Sequence, residues 1–171
     1  TPSAEAAPQD FRRSQVYVHP SFQVTRYMGA LNAETGWGVG MGVTQGFQFR
    51  WIGFNLTVDT DYFLTNRSAP PFNTGFQQAG IRLASRFLAP VWDLRIFGEL
   101  SAQRLSFISN ALVETTGEKL AFHGVGGALG GRYVGLEPLY IEVRADADYL
   151  LDIDDTWGIG FGIAIGIRSL L

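Results

Sequence analysis

Two histidines and a run of aspartates are the residues of this chain that come closest to a catalytic or metal-binding pattern. His123 stands in the stretch "FHGVGG", and a single histidine without a nucleophile and an orienting carboxylate makes no catalytic triad. His19 precedes Pro20, and no cysteine or second nearby histidine completes a metal site around it. We therefore predict no catalytic residue and no metal ligand, and we expect His19 to form a hydrogen bond to a neighbouring carboxylate.

The acidic stretch "DADYLLDIDDT" offers the only other candidate for a bound cation. Asp152, Asp154 and Asp155 could supply oxygen ligands to calcium, but the glycine and the distal glutamate of an EF-hand loop are missing. The stretch "GVGGALGG" lacks the strand, turn and helix that a dinucleotide site requires. We expect a solvated acidic hairpin and no cofactor.

The remaining charged residues follow a different pattern, in which arginines and carboxylates alternate with apolar residues. Lys119 is the single lysine among 13 basic residues. Arginine suits confined ion pairs because its planar guanidinium binds a carboxylate through two hydrogen bonds. We predict an ion-paired network of alternating residues, formed by Asp59, Asp61, Arg82, Arg86, Asp93, Arg95, Glu99, Arg132, Glu142, Arg144, Asp146, Asp148 and Arg168.

Alternation with a period of two residues indicates β-strands, since successive side chains of a strand point to opposite faces. The stretch "TWGIGFGIAIGIRSLL" shows it most clearly, with aromatic and aliphatic residues on one face and mostly glycine on the other. We predict eight strands, at about 15–28, 36–47, 51–63, 76–88, 92–108, 119–134, 139–150 and 156–171. The connections between them are predicted at 29–35, 64–75, 109–118 and 151–156 on one end, and at 46–50, 88–91 and 134–138 on the other.

Short connections without a crossover helix favour an antiparallel meander, and an even number of strands closes into a barrel. The predicted fold class is therefore all-β, an eight-stranded antiparallel up-and-down transmembrane β-barrel spanning residues 15–171. The charged face points inward, where glycines leave room for arginines, and the apolar face points to lipid. The inverse arrangement, a soluble lipocalin-like binding barrel, would expose glycine faces to water. Two aromatic girdles are predicted at the ends of the lipid-facing wall, including Trp37, Trp51, Trp92, Tyr133, Tyr140, Tyr149 and Trp157.

The first residues, 1–14, are rich in proline and alanine and are predicted to form a flexible N-terminal leader or linker. The net charge of −3 and the absence of a basic stripe argue against binding to nucleic acid. Membrane lipids are the expected partners. Other envelope proteins are possible partners, bound through residues 1–13 or through the lipid-facing wall, where Gly127 and Gly131 permit close approach.

The alternating segments from residue 15 onward resemble the small bacterial outer-membrane β-barrels, such as the OmpA-type eight-stranded transmembrane domain. The resemblance implies a location in the bacterial outer membrane, with the connections at 29–35, 64–75, 109–118 and 151–156 as the outer loops. These four connections are all short. Two relatives in that group are enzymes acting on lipid A, and one pattern has a serine two positions after the histidine. Here His123 is followed at that spacing by Val125, so the chain is not expected to be an enzyme.

The function predicted from the sequence is a structural or anchoring module with a closed, ion-paired lumen, which could serve as a subunit of a larger envelope assembly. The alternative is a narrow pore for ions or small solutes. A lipid-modifying enzyme and a soluble binding barrel rank below both.

Overall fold

The computed structural model describes residues 14–29, 35–65, 76–108, 121–153 and 155–170. These residues form a closed barrel in which each strand pairs with the next and the last pairs with the first. The strands are β1 Ser14–Met28, β2 Thr35–Phe49, β3 Ile52–Thr65, β4 Phe76–Val91, β5 Leu94–Ile108, β6 Ala121–Leu136, β7 Leu139–Leu150 and β8 Trp157–Leu170. The predicted fold class is confirmed. Residues 1–13 of the predicted leader lie outside the described residues, and Ser14 already belongs to β1.

All eight strand pairs are antiparallel, and the barrel is strongly staggered. A walk along directly paired residues that starts at Tyr17 and passes once through every strand returns to β1 at Tyr27. A stagger of this kind tilts the strands relative to the barrel axis. Tyr17 and Tyr27 both point inward and lie near opposite ends of the lumen. Among the described residues, no helix is long and apolar enough to cross a membrane.

The turns at one end are tighter than the sequence predicts, because β2 and β4 extend beyond their predicted ends, to Phe49 and Val91. Residues 50–51, 92–93 and 137–138 each form a two-residue turn, at what we call the turn end. Arg50 and Trp92 adopt positive φ values of 53° and 54° there, and the Glu137–Pro138 peptide is cis. The opposite end, called the loop end, carries the four longer connections, of which the predicted 29–35, 64–75 and 109–118 lie largely outside the described residues.

The tight turn between β4 and β5 corrects one predicted lumen residue. Asp93 belongs to this turn and is exposed, so it does not point into the lumen. The alternation that suggested an inward side chain applies only within a strand, and β5 begins one residue later, at Leu94.

The two faces of the barrel have opposite polarity. Outward side chains are apolar and exposed in the middle of the wall, with Leu129 72% exposed and Leu100 68% exposed. Inward side chains include most of the arginines and carboxylates of the described residues, and they are buried or half-buried. The soluble lipocalin-like alternative is therefore wrong for this chain, because its apolar residues face outward and its charges face the lumen.

The strand register explains why many inward positions are glycine: each lies directly opposite a large side chain of the neighbouring strand. Gly126 pairs directly with Asp148, Gly160 with Asp146 and Gly166 with Tyr140. A Cβ atom built on Gly160 would lie 2.6 Å from an oxygen of Asp146. The charged and aromatic lumen side chains thus lie against the backbone of the neighbouring strand. A residue with a Cβ atom at the glycine positions would collide with them.

Candidate functional site

The centre of the lumen is occupied by Arg86, which extends inward from β4 and is fully buried. Its Nη1 and Nη2 donate to the two carboxylate oxygens of Glu142, at 2.7 and 2.8 Å. Its Nε donates to Glu99 Oε1 at 2.5 Å, and its Cζ lies 4.0 Å from the centroid of the Phe97 ring. One guanidinium therefore links carboxylates from β5 and β7 across the barrel, with the bidentate geometry that makes such pairs strong.

A second guanidinium shares the same carboxylate from the turn side. Arg132 Nε donates to Glu142 Oε2 at 2.9 Å. Its Cζ lies 4.2 Å from the ring centroids of both Tyr17 and Tyr140, which places the cation between two aromatic rings. The negative charge of Glu142 is thus offset by two arginines, and the second is further stabilised by cation–π contacts.

Glu99 connects this centre to the loop side of the lumen. Asn55 Nδ2 donates to Glu99 Oε1 at 2.7 Å, and Arg144 Nη1 lies 3.5 Å from Glu99 Oε2. Arg144 Nε in turn lies 3.4 Å from Asp146 Oδ1. The ion pairs therefore continue from the centre towards the carboxylates of the loop side.

The loop side of the lumen is rich in aspartates, with Arg82 in their midst. Arg82 Nη2 lies 2.7 Å from Asp148 Oδ2 and 3.9 Å from Asp146 Oδ2, and it also donates to Gln103 Oε1 at 2.9 Å. Asp61 accepts a hydrogen bond from Gln23 Nε2 at 2.8 Å. Carboxylates thus outnumber guanidinium groups on the loop side of the lumen.

Buried clusters of packed side chains lie at both ends of the lumen. At the loop end, Tyr27, Phe63, Leu105 and Leu150 form a buried apolar cluster. At the turn end, Tyr17, Val134 and Tyr140 form a second cluster. Between them lie two cavities of about 10 Å³ each, which is room for roughly one water molecule apiece.

Arg95 and Arg168 tie the turn end to the barrel. Arg95 Nη1 donates to the carbonyl oxygens of Trp92 and Leu94, and Arg168 Nη2 donates to Glu137 Oε1 at 2.5 Å. The structure therefore places all of the predicted lumen residues inside except Asp93. The prediction missed the neutral members Asn55 and Gln103, since polar inward residues without charge were not singled out.

His19 lies inside the lumen, but its partner differs from the expected carboxylate. His19 Nδ1 forms a 2.6 Å hydrogen bond with Tyr140 Oη, and both side chains are buried. Tyr140 is therefore not a girdle residue, which corrects the prediction. It shares its strand face with Glu142, so the alternation of β7 directs it inward.

We expect Tyr140→Phe to lower the free energy of unfolding by about 1–3 kcal/mol, because it leaves a buried His19 nitrogen without its partner. The measurement is urea unfolding in phospholipid vesicles, followed by tryptophan fluorescence. Tyr133→Phe is the matched control, since Tyr133 lies on the outer wall, and its unfolding should change little. An equal effect of both substitutions would contradict the role of the His19 hydrogen bond.

The other predicted girdle residues lie on the outside, at the two ends of the apolar wall. Trp51, Trp92 and Tyr133 are exposed near the turn end. Trp37, Tyr149 and Trp157 lie near the loop end, with the rings of Tyr149 and Trp157 4.9 Å apart. Aromatic bands at both edges of an apolar wall are characteristic of barrels that span membranes.

Solved structures share this architecture. No protein-family model matches the sequence, and no curated protein matches it either. The outer membrane protein OprG from Pseudomonas aeruginosa aligns with a TM-score of 0.65 and 11% identity, covering 92% of this chain and 97% of OprG. Neisserial surface protein A aligns with a TM-score of 0.60 and 14% identity, covering 91% and 97%.

The chain has the fold of the small bacterial outer-membrane β-barrels. A wall with this polarity is stable in lipid and not in water, and together with the fold it confirms the predicted location in the bacterial outer membrane. The wall of this outer-membrane barrel therefore contacts membrane lipids. The expectation that it is not an enzyme stays a prediction.

The loop-end rim of this outer-membrane barrel carries a contact that the sequence analysis missed. His123 points outward from β6, and its Nδ1 lies 3.0 Å from Asp152 Oδ2 in the connection between β7 and β8. The backbone N–H of His123 donates to the same oxygen at 2.5 Å. These two hydrogen bonds hold the pKa of Asp152 below its usual value, and the bond from the backbone N–H has the larger effect. The carboxylate keeps its charge, and hence this contact, at neutral pH and loses both only as the pH falls through that lowered pKa.

The acidic stretch of the sequence gives no metal centre in the part of the chain that is described. Within that part, no three histidine, cysteine, aspartate or glutamate side chains are arranged to hold a metal ion. Asp152 is engaged by His123, Asp155 is exposed, and Asp154 lies outside the described residues.

Proposed function

We propose that this outer-membrane barrel is a structural or anchoring module whose lumen is closed. The observation that carries the proposal is the bidentate pair between Arg86 and Glu142, which spans the middle of the lumen from β4 to β7. The pair is fully buried and is held by Glu99 on one side and Arg132 on the other. An ion moving along the axis would have to separate this buried pair, which would leave a buried charge without its partner.

The two ends of the lumen support the same proposal. The apolar cluster around Phe63 occupies the loop end of the described lumen, and the cluster around Tyr17 occupies the turn end. Two cavities between them each have a volume of about 10 Å³, room for roughly one water molecule and too little for a hydrated ion.

Single-channel recording in planar lipid bilayers tests the proposal. We expect no stable open currents from protein whose folding is verified by heat-modifiable migration in electrophoresis. Stable, sizeable currents that depend on the folded form would overturn the closed lumen.

A narrow pore for ions or small solutes is the second candidate, and one observation favours it. The two cavities share Gln23, Asp59 and Arg82 in their linings, so polar groups run without interruption between them. If this function is correct, the currents should change in size and ion preference when Glu99 is replaced by glutamine.

An anchoring role also requires a partner that the barrel holds at the membrane. We propose that another envelope protein binds through the lipid-facing wall or through residues 1–13. Capture of partners with the full chain and with a chain lacking residues 1–13 separates the two routes. A partner that is retained without those residues binds the wall, and the complete absence of any specific partner would argue against anchoring.

A further inference from the structure

Among the described side chains, the aromatic girdle at the loop end has no member on β4, β5 or β6. Its outward aromatic side chains come from β2, β3, β7 and β8, and are Trp37, Tyr62, Tyr149 and Trp157. Near the loop ends of β4, β5 and β6, the described outward side chains are instead mainly polar. We call this group the rim notch, and it consists of Gln77, Arg104, Ser106 and His123.

The two basic members of the rim notch are direct neighbours. Arg104 and His123 pair in register on the outward face of β5 and β6, which places their Cβ atoms about 5 Å apart. Asp152 fixes the His123 ring through Nδ1, so that Nε2 remains available to an outside group. His123 is 60% exposed and Arg104 is also exposed.

Arg104 has no compensating charge within the described part of the barrel. No ion pair links its guanidinium to a described carboxylate, and Asp152, the described rim carboxylate that contacts the neighbouring His123, is already engaged by that histidine. A cation on the wall of a membrane barrel is unfavourable in hydrocarbon, and a long side chain near the rim extends to the headgroup region instead. Phosphate is the anion found there, and a guanidinium binds it through paired hydrogen bonds.

We propose that the rim notch binds the phosphate of a lipid headgroup in the leaflet at the loop end. Arg104 pairs with the phosphate, and His123 in its protonated form donates a second hydrogen bond from Nε2 while Asp152 holds the ring. Ser106, two residues from Arg104 on the same face, offers a hydroxyl to the same headgroup. The notch lies on the outer wall, so this proposal does not depend on whether the lumen conducts.

Native mass spectrometry of the detergent-solubilised, folded protein with added phosphatidic acid tests the proposal. We expect Arg104→Gln to weaken the tightest phosphatidic acid binding about tenfold, as for the loss of a charged hydrogen-bond donor. His123→Ala should weaken it by a smaller factor. Diacylglycerol, which has the same acyl chains and no phosphate, should bind the wild type and Arg104→Gln equally.

Arg50→Gln provides the matched control, because Arg50 is an exposed arginine in a turn at the opposite end of the barrel. It should leave the tightest binding unchanged. Equal binding by wild type and Arg104→Gln would overturn the proposal, as would an equal loss in Arg50→Gln, which would indicate a general effect of positive charge. Heat-modifiable migration of each variant verifies that the barrel is intact.

Discussion

Replacing Arg86 with methionine is expected to lower the free energy of unfolding by about 3–5 kcal/mol, the cost of leaving a buried carboxylate without its partner. Arg86 is fully buried and bonds to both Glu142 and Glu99. Glu142 retains Arg132, so Glu99 becomes the less compensated charge. Urea unfolding in phospholipid vesicles, followed by the fluorescence of the wall tryptophans, measures the loss.

A second substitution identifies the cause of that loss. The double variant Arg86→Met, Glu99→Gln no longer carries the uncompensated charge of Glu99. We expect it to recover a substantial part of the free energy of unfolding that Arg86→Met loses. Arg50→Met is the control, because Arg50 is exposed in a turn and its removal should change stability by about 0.5 kcal/mol or less. If the double variant were no more stable than Arg86→Met, lost packing and not uncompensated charge would be the explanation.

Adding a methyl group to an inward glycine should destabilise the barrel, whereas the same change on the outer wall should not. The Cβ atom of an alanine at position 126 would lie 2.5 Å from the carbonyl oxygen of Ala147 and would also collide with the Asp148 carboxylate. We expect Gly126→Ala to cost about 1–3 kcal/mol, as overpacking does elsewhere. The same unfolding experiment in vesicles measures it.

Gly131→Ala is the matched control on the same strand. A Cβ atom at position 131 points outward and has its nearest neighbour, a methyl group of Leu94, at 3.4 Å. Both substitutions remove the same backbone freedom from the unfolded chain, so their difference reports the collision alone. A loss in Gly131→Ala as large as in Gly126→Ala would show that the inward packing is not the reason for glycine.

Alternation alone predicts the strands and their two faces because every strand of this barrel separates lipid from a charged lumen. β8 shows why, since Phe161 and Ile163 face outward while Gly160 and Gly162 face inward. The predicted set of inward charges follows from the same rule. Asp93 was the exception because a two-residue turn ends the alternation at Val91.

The partners inside the lumen could not be predicted from the sequence. Arg86 and Glu142 are 56 residues apart, and only the closure and stagger of the barrel bring them together. Tyr140 shows a different limit, because the prediction gave its residue type more weight than its strand face. The contact of His123 with Asp152, 29 residues later, depends on the path of the β7–β8 connection, which no periodic pattern describes.

The central charges come from four consecutive strands, with Arg86 on β4, Glu99 on β5, Arg132 on β6 and Glu142 on β7. A register slip of one residue in any of these strands would turn its charge from the lumen to the lipid. A folding intermediate in which two of these strands are not yet paired would likewise leave a charged side chain without its partner in the membrane. We therefore expect insertion of this half of the barrel to be cooperative, because the same cluster of charges requires correct pairing of all four strands.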